Sequence, residues 1–175
     1  MHVSIREFTE KDIPHKLQWI NDPKNNQYLH YDLPLEFNST LAWLERNRGS
    51  STRYDGVIEV DGEPVGLIGL LDIDTRFSKA EFYIVMGNPN FRGKGIALTA
   101  TRKMLEMAFT KIGLNRVYLF TELTNINAQV LFIKAGFQVE GLLRQDAILN
   151  GQFSNRYAMS ILKQEFIKET IYDIN

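Results

Sequence analysis

Two hydrophobic periods alternate along this chain, and each change of period marks an element. Val3–Phe8 alternates apolar and polar positions, which predicts a strand with one buried face. Thr9 and Asp12 stand ready to cap a helix, and Pro14 suits an early helical position. Asn21-Asp22-Pro23 breaks that helix, and Leu35–Asn47 reads as a second one with Leu41 and Leu44 facing inward. Tyr54–Val60 and Pro64–Leu71 form a hairpin about Asp61-Gly62. Ala80–Met86 is almost wholly apolar, as a buried strand is. From Gly95 to Ile112 the period lengthens: Leu98, Thr101, Leu105, Ala108 and Ile112 recur at helical spacing. Asn115–Glu122 is β-branched and aromatic, so it predicts a strand. In Asn127–Ala135 the residues Ala128, Leu131, Phe132 and Ala135 share one helical face, and Gly136 can end that helix left-handed. Asn150-Gly151 is a hairpin signal before a last strand, Arg156–Leu162. Glu165–Asn175 reads as a short helix or a frayed tail.

Hairpins mix here with helical crossovers. The order predicts an α/β (α+β) fold: a mixed, mostly antiparallel central sheet of about seven strands flanked by about four helices. The 175 residues read as one domain, residues 1–175, large enough for a real core. No internal repeat, low-complexity tract or linker interrupts it.

Composition narrows the chemistry. A net charge of −1 gives no electrostatic reason to expect nucleic acid as a partner. Cysteine is absent, which excludes disulfides, thiolate metal sites and a cysteine nucleophile. His2, His15 and His30 lack metal-ligand spacing, so no metal is expected. No apolar run approaches the roughly 20 residues of a membrane span, and no signal-peptide pattern opens the chain. The expectation is a cytoplasmic protein with no membrane partner.

The chemistry concentrates at Phe91-Arg92-Gly93-Lys94-Gly95-Ile96-Ala97, between a strand and a helix. The first N–H groups of a helix have no intrahelical partner, and the dipole there favours anions. Glycines let a phosphate approach the main chain closely. A Walker A loop does not fit, because Gly87 is one residue too far from Gly93 and Gly95 follows Lys94 where a hydroxyl is needed. A dinucleotide fingerprint fails at Leu98, where a third glycine belongs. Arg92, Gly95 and Ala97 do fit R-x-x-G-x-G/A. Asn125-Ile126-Asn127-Ala128 followed by Lys134-Ala135-Gly136-Phe137 supplies a second, matching signature. Together these motifs resemble the GNAT acetyltransferase superfamily, in its ribosomal-protein-acetylating and spermidine-acetylating branches. The resemblance runs from Val3 to about Gln164.

The resemblance implies a GNAT-type fold, acetyl-CoA as co-substrate, and transfer of its acetyl group to a primary amine by direct attack in a ternary complex. The diphosphate would lie on the amides from Arg92 to Ala97, with Arg92 and Lys94 adding charge. Ile84, Val85 and Met86 match the splayed strand that meets the pantetheine arm. Phe91, Asn125, Phe132 and Lys134 complete the cofactor-binding set, Asn125 either touching that arm or capping its helix. Many relatives carry a tyrosine at Phe132 that protonates the departing thiolate; a phenylalanine has no proton to give. A thiol pKa near 8.5 makes the thiolate a tolerable leaving group without that help.

The residues themselves point to a base. Alternation puts Glu81, Tyr83 and Val85 on one strand face, and a lone carboxylate in an apolar strand costs free energy unless it is partnered or used. Glu81 is the candidate general base, and Tyr83 a candidate proton donor. The acceptor region spans Trp19 to Asp32, with Trp19, Tyr28 and Tyr31 as candidate substrate contacts. A polyamine would prefer a strongly acidic cleft, and only Asp22, Asp32 and Glu36 are evident nearby. Amino sugars, polyamines, small amines and protein N-termini all remain open as acceptors. Two other readings compete: a non-catalytic acyl-CoA-binding module, and an ATP-dependent transferase, for which Gly95 is a poor magnesium neighbour. A homodimer is expected by analogy only.

Overall fold

The computed structural model describes residues 1–172, with side chains through residue 167. Seven strands are present: β1 (Val3–Glu7), β2 (Tyr54–Val60), β3 (Glu63–Asp74), β4 (Lys79–Met86), β5 (Arg116–Glu122), β6 (Gln138–Leu149) and β7 (Gln152–Leu162). They form one sheet in the order β1-β2-β3-β4-β5-β7-β6. Every pairing is antiparallel except β4 with β5. The parallel pair is joined through the central helix between Ile96 and Glu106, since parallel pairing requires a crossover connection.

Six α-helices lie among the described residues: α1 (Ile13–Asn21), α2 (Pro23–Asn26), α3 (Phe37–Asn47), α4 (Ile96–Glu106), α5 (Ile126–Lys134) and α6 (Lys163–Tyr172). The sequence pattern gives α1, α3, α4 and α5. It reads α2 as a plain break, yet Asp22 accepts a hydrogen bond from the Lys24 N–H at 2.9 Å and caps one extra turn. The terminal segment is helical through Tyr172; residues 173–175 lie outside the described residues. Thr9 and Asp12 cap a 3₁₀ turn (Glu10–Asp12) that leads into α1. The long central helix keeps α geometry to Glu106 and continues as a π-helical stretch to Ile112.

Each face of the sheet carries its own layer. Ala80 and Phe82 join Ile96, Ala100 and Met104 of α4 and Phe132 of α5 in one cluster. Val85 and Tyr83 join Ile13, Trp19 and Ile20 of α1 and Leu41 and Leu44 of α3 in the other. Period-two alternation along β4 therefore divides the two layers, and Glu81 points into the α1–α3 side. The β4–β5 ladder is short: Lys79↔Arg116, Ala80↔Val117 and Glu81↔Tyr118. Past Glu81, β4 keeps β3 as a neighbour but loses β5, which goes on pairing with β7. The parting strands leave a wedge-shaped gap. Alternate residues of β4 direct their main-chain groups into it, because only every second residue is engaged by the antiparallel partner.

Candidate active site

The donor end is built from main chain. Asn88 caps the turn Pro89–Phe91, after which Gly93 and Gly95 take left-handed φ values of 72° and 77°. This conformation turns successive amides to one side. The N–H groups of residues 93–98 meet no acceptor among the described residues, and the first bond of α4 is Thr99 N–H to Gly95 C=O at 3.0 Å. Nothing lies within 4 Å of where a Cβ would stand at Gly93 or Gly95. An open row of amides and a cradle free of side chains fit a diphosphate. Ile96 is 2% exposed and roots α4 in the core, so only its N–H faces the turn. Phe91 packs on the same core, with the Lys94 ammonium 5.4 Å from its ring centre.

Arg92 does something the motif alone does not reveal. Its guanidinium donates to the Asn25 side-chain oxygen and to the Met86 carbonyl, the latter at 3.1 Å. Asn25 in turn donates to the carbonyls of Trp19 and Gly87 at 3.1 and 3.0 Å. The arginine thus ties α2 to the end of β4, and its charge lies beside the donor turn without pointing freely into it.

Glu81 sits at the last rung of the β4–β5 ladder, where the gap opens. It is half-buried, and burial is the first cause raising its pKa; Asp72 adds to the rise and Arg156 opposes it. A carboxylate held this way is a better base than an ordinary glutamate. Ile84 and Met86 pack towards α4, while Val85 is buried on the α1–α3 side.

The Tyr83 hydroxyl does not face the gap. Gly69 pairs with it across β3 and leaves room for the ring, which lies over β3 so that the phenol donates to Asp55 on β2 at 2.8 Å. The hydroxyl therefore points away from β5. Burial first, then the Asp55 charge, push its pKa well above the ordinary phenol value, which makes it a reluctant acid.

Asn125 caps α5, its side-chain oxygen accepting the Ala128 N–H at 3.3 Å. Phe132 is buried at the base of α5 between Phe82 and Phe137, edge-on to both with centroids 6.2 and 5.8 Å away. Lys134 ends the same helix and is exposed.

On the acceptor side, two aromatic candidates belong to the core. Trp19 is 5% exposed and lies so close under Gly87 that a Cβ there would enter its ring, so it packs and does not line a pocket. Tyr31 joins the α1–α3 cluster, and burial raises its phenol pKa. It shares the Lys16 ammonium with Phe8 and Trp43, the Trp43 ring centre being 3.5 Å away. Tyr28 alone of the three reaches across, donating to the Thr124 carbonyl at 3.1 Å.

Other residues, absent from the sequence-based set, do meet here. Tyr118, Phe120 and Glu122 alternate along β5 on the face of Glu81. The two rings touch edge-on, 5.8 Å apart, and the Arg156 guanidinium lies 4.9 Å over Phe120 while bonding Asp146 at 2.8 Å. Glu122 is 2% exposed; it accepts from Ser154 of β7 and bonds the His30 ring nitrogen at 2.8 Å. Its position two and four residues beyond Phe120 and Tyr118 is a signal that strand parity carries. His30 and Ser154 carry none, because a loop brings the first in and the pairing of β7 with β5 the second.

A model of the acetyltransferase (GNAT) domain matches residues 2–138, and the chain belongs to that family. It is 35% identical over 168 residues to spermidine N(1)-acetyltransferase of Escherichia coli K12, covering 95% of this chain and 89% of that one. It is 28% identical over 128 residues to the L-amino acid N-acetyltransferase AaaT of the same organism, covering 71% and 78%. Among solved structures, spermidine N-acetyltransferase of Vibrio cholerae in complex with CoA and spermine superposes with a TM-score of 0.86 at 26% identity, covering 94% and 98%. The seven-stranded sheet is the GNAT fold, and the chain is an acetyl-CoA-dependent amine N-acetyltransferase. Among the described residues no helix is long and apolar enough to cross a membrane, and no cluster of His, Asp and Glu could hold a metal ion.

Proposed function

We propose that this acetyltransferase acts on a linear polyamine or diamine, with Glu81 taking the proton from the attacking nitrogen in a ternary complex. One observation carries the reading: Glu81 stands at the rung where β4 and β5 part, between the donor turn and the acceptor face. The acid that the region of Trp19 to Asp32 lacks comes from the sheet, where Glu81 and Asp72 interact and Glu122 lies further along the same face. The names of the spermidine acetyltransferases support the same acceptor class.

The amides of residues 93–97 hold the diphosphate, and the main-chain edge of Ile84 to Met86, its last carbonyl taken by Arg92, aligns the pantetheine arm. An N–H of that edge hydrogen-bonds the carbonyl oxygen as negative charge develops on it. An alkylammonium with a pKa of about 10.4 must lose a proton before it can attack, and Glu81 accepts that proton directly or through a water. The new N–C bond forms as the C–S bond breaks. Solvent protonates the departing thiolate, since Phe132 has no hydroxyl and the Tyr83 hydroxyl is held by Asp55.

An acceptor panel tests the assignment. Purified protein with acetyl-CoA is offered spermidine, an amino sugar, an amino acid and a peptide with a free N-terminus. Spermidine should give the highest kcat/KM. A higher value for any of the other three overturns the acceptor class.

A further inference from the structure

We propose that Glu122 is a second docking point on the acceptor face, a carboxylate that takes an ammonium group remote from the reacting amine and for which His30 stands in. The inference rests on the amine-acetyltransferase reading and deepens it. Glu122 is almost fully buried, and an ionised carboxylate there is costly unless paired. An arginine stands ready: Arg156 is its cross-strand neighbour in the β5–β7 register. Yet that guanidinium turns to Asp146 and Phe120. Among the described residues the Glu122 carboxylate bonds only a serine hydroxyl, from β7, and one imidazole nitrogen, from a loop. The imidazole arrives on the segment between α2 and α3, which Tyr28 also fastens to the end of β5 through Thr124. Leu29 and Tyr31 anchor the segment in the α1–α3 layer, so what an acceptor's own cation has to replace is the single contact of the His30 ring with Glu122.

The spacing defines that acceptor. Glu81 is level with Tyr118, and Glu122 lies four residues further along the same face. Four strand residues span roughly 13 Å. Between the two carboxylates the floor is Tyr118 and Phe120, suited to an alkyl chain. The carboxylates around this strip are Glu81, Asp72, Asp74, Asp146 and Glu122; the cations are Arg156, paired with Asp146, Arg116, paired with Glu140, and Lys79 over the Tyr118 ring, and the His30 imidazole adds a ring nitrogen. The strip therefore favours a flexible chain with an ammonium at each end over one with a carboxylate or phosphate.

Acetyl transfer is measured as CoA release with α,ω-diaminoalkanes of four to ten methylenes and with the matching monoamines, for the wild type and for Glu122→Gln. In the wild type the ratio of diamine to monoamine kcat/KM should climb with chain length. In Glu122→Gln that ratio should fall by about tenfold or more for the longest members, the loss expected when a charged hydrogen bond is removed. His30→Ala keeps the carboxylate and removes its stand-in, so the ratio for long diamines should rise. An unchanged ratio in both variants overturns the assignment to Glu122. Failure of the wild type to acetylate any amine in the series would instead sink the acceptor reading itself.

Discussion

Replacing Glu81 by glutamine asks directly whether a base works at the β4–β5 gap. The exchange preserves shape and removes only the proton acceptor. At pH 7 an amine of pKa about 10.4 is unprotonated in roughly one molecule in 2,500. Without a base the enzyme must wait for that fraction, so the loss in kcat/KM is bounded near 10³, or about 4–5 kcal/mol. As pH rises the free fraction grows tenfold per unit, and the variant should close on the wild type near pH 10. The wild type should show an acidic limb above the ordinary glutamate range, since burial and Asp72 raise the Glu81 pKa. Glu81→Gln should lack that limb and rise with unit slope. Stability gives a control with a definite sign. A carboxyl whose pKa is raised on folding favours the folded state below its unfolded pKa and loses that advantage as pH rises through its folded value. Glu81→Gln should thus match the wild type near pH 4 and melt no lower at pH 7. A variant that stays within about threefold of wild-type kcat/KM at pH 7, with the same pH profile, refutes the base assignment.

Three further outcomes follow from the geometry. Gly95→Ala puts a Cβ on a left-handed residue in the cradle, and should raise the KM for acetyl-CoA at least tenfold while costing only about 1–2 kcal/mol in thermal unfolding. Lys16 is held at a pKa of about 8 by burial, so the folded chain binds fewer protons than the unfolded chain between about pH 8 and 10.5 and gains stability across that window; Lys16→Met should abolish this rise in Tm, worth at most about 3 kcal/mol. Phe132→Tyr should leave kcat within about threefold at pH 8, where a thiolate departs unaided, and a tenfold gain in steady-state turnover would show that leaving-group protonation limits the wild type.

The donor half of the site was legible because it is local. A strand, a glycine turn and a helix start lie within twenty consecutive residues, and the amides of Gly93 to Ala97 take their direction from φ values that only glycine adopts cheaply. Glu81 was legible for a similar reason: strand parity alone sets its face. The acceptor half was not. Trp19 and Tyr31 look like pocket aromatics in a polar stretch, but both are needed to fill the layer between α1, α3 and the sheet. Glu122 meets His30 across 92 residues of chain and Ser154 across 32, and no period encodes such meetings. The direction of Tyr83 was not legible because it depends on Gly69, a residue on another strand that leaves room for the ring to lie towards Asp55.

Arg92 shows how the two halves are joined. The motif places a cation at the diphosphate, but the guanidinium bonds to Asn25 and Met86, so its hydrogen bonds fix the start of the acceptor-side segment against the end of β4. Asn25 completes the clamp by reaching Gly87, whose missing Cβ admits the Trp19 ring. A charged hydrogen bond contributes about 1.5–3 kcal/mol, enough to hold one helical turn in place. On this geometry the arginine is placed to act through position as well as charge: the segment that carries Tyr28 and His30 starts from a helix pinned to Met86 and Gly87, where β4 ends. Loss of Asn25 should therefore weaken acceptor binding although Asn25 lies beside the donor turn, whereas an arginine acting only as a diphosphate counterion would leave acceptor affinity untouched.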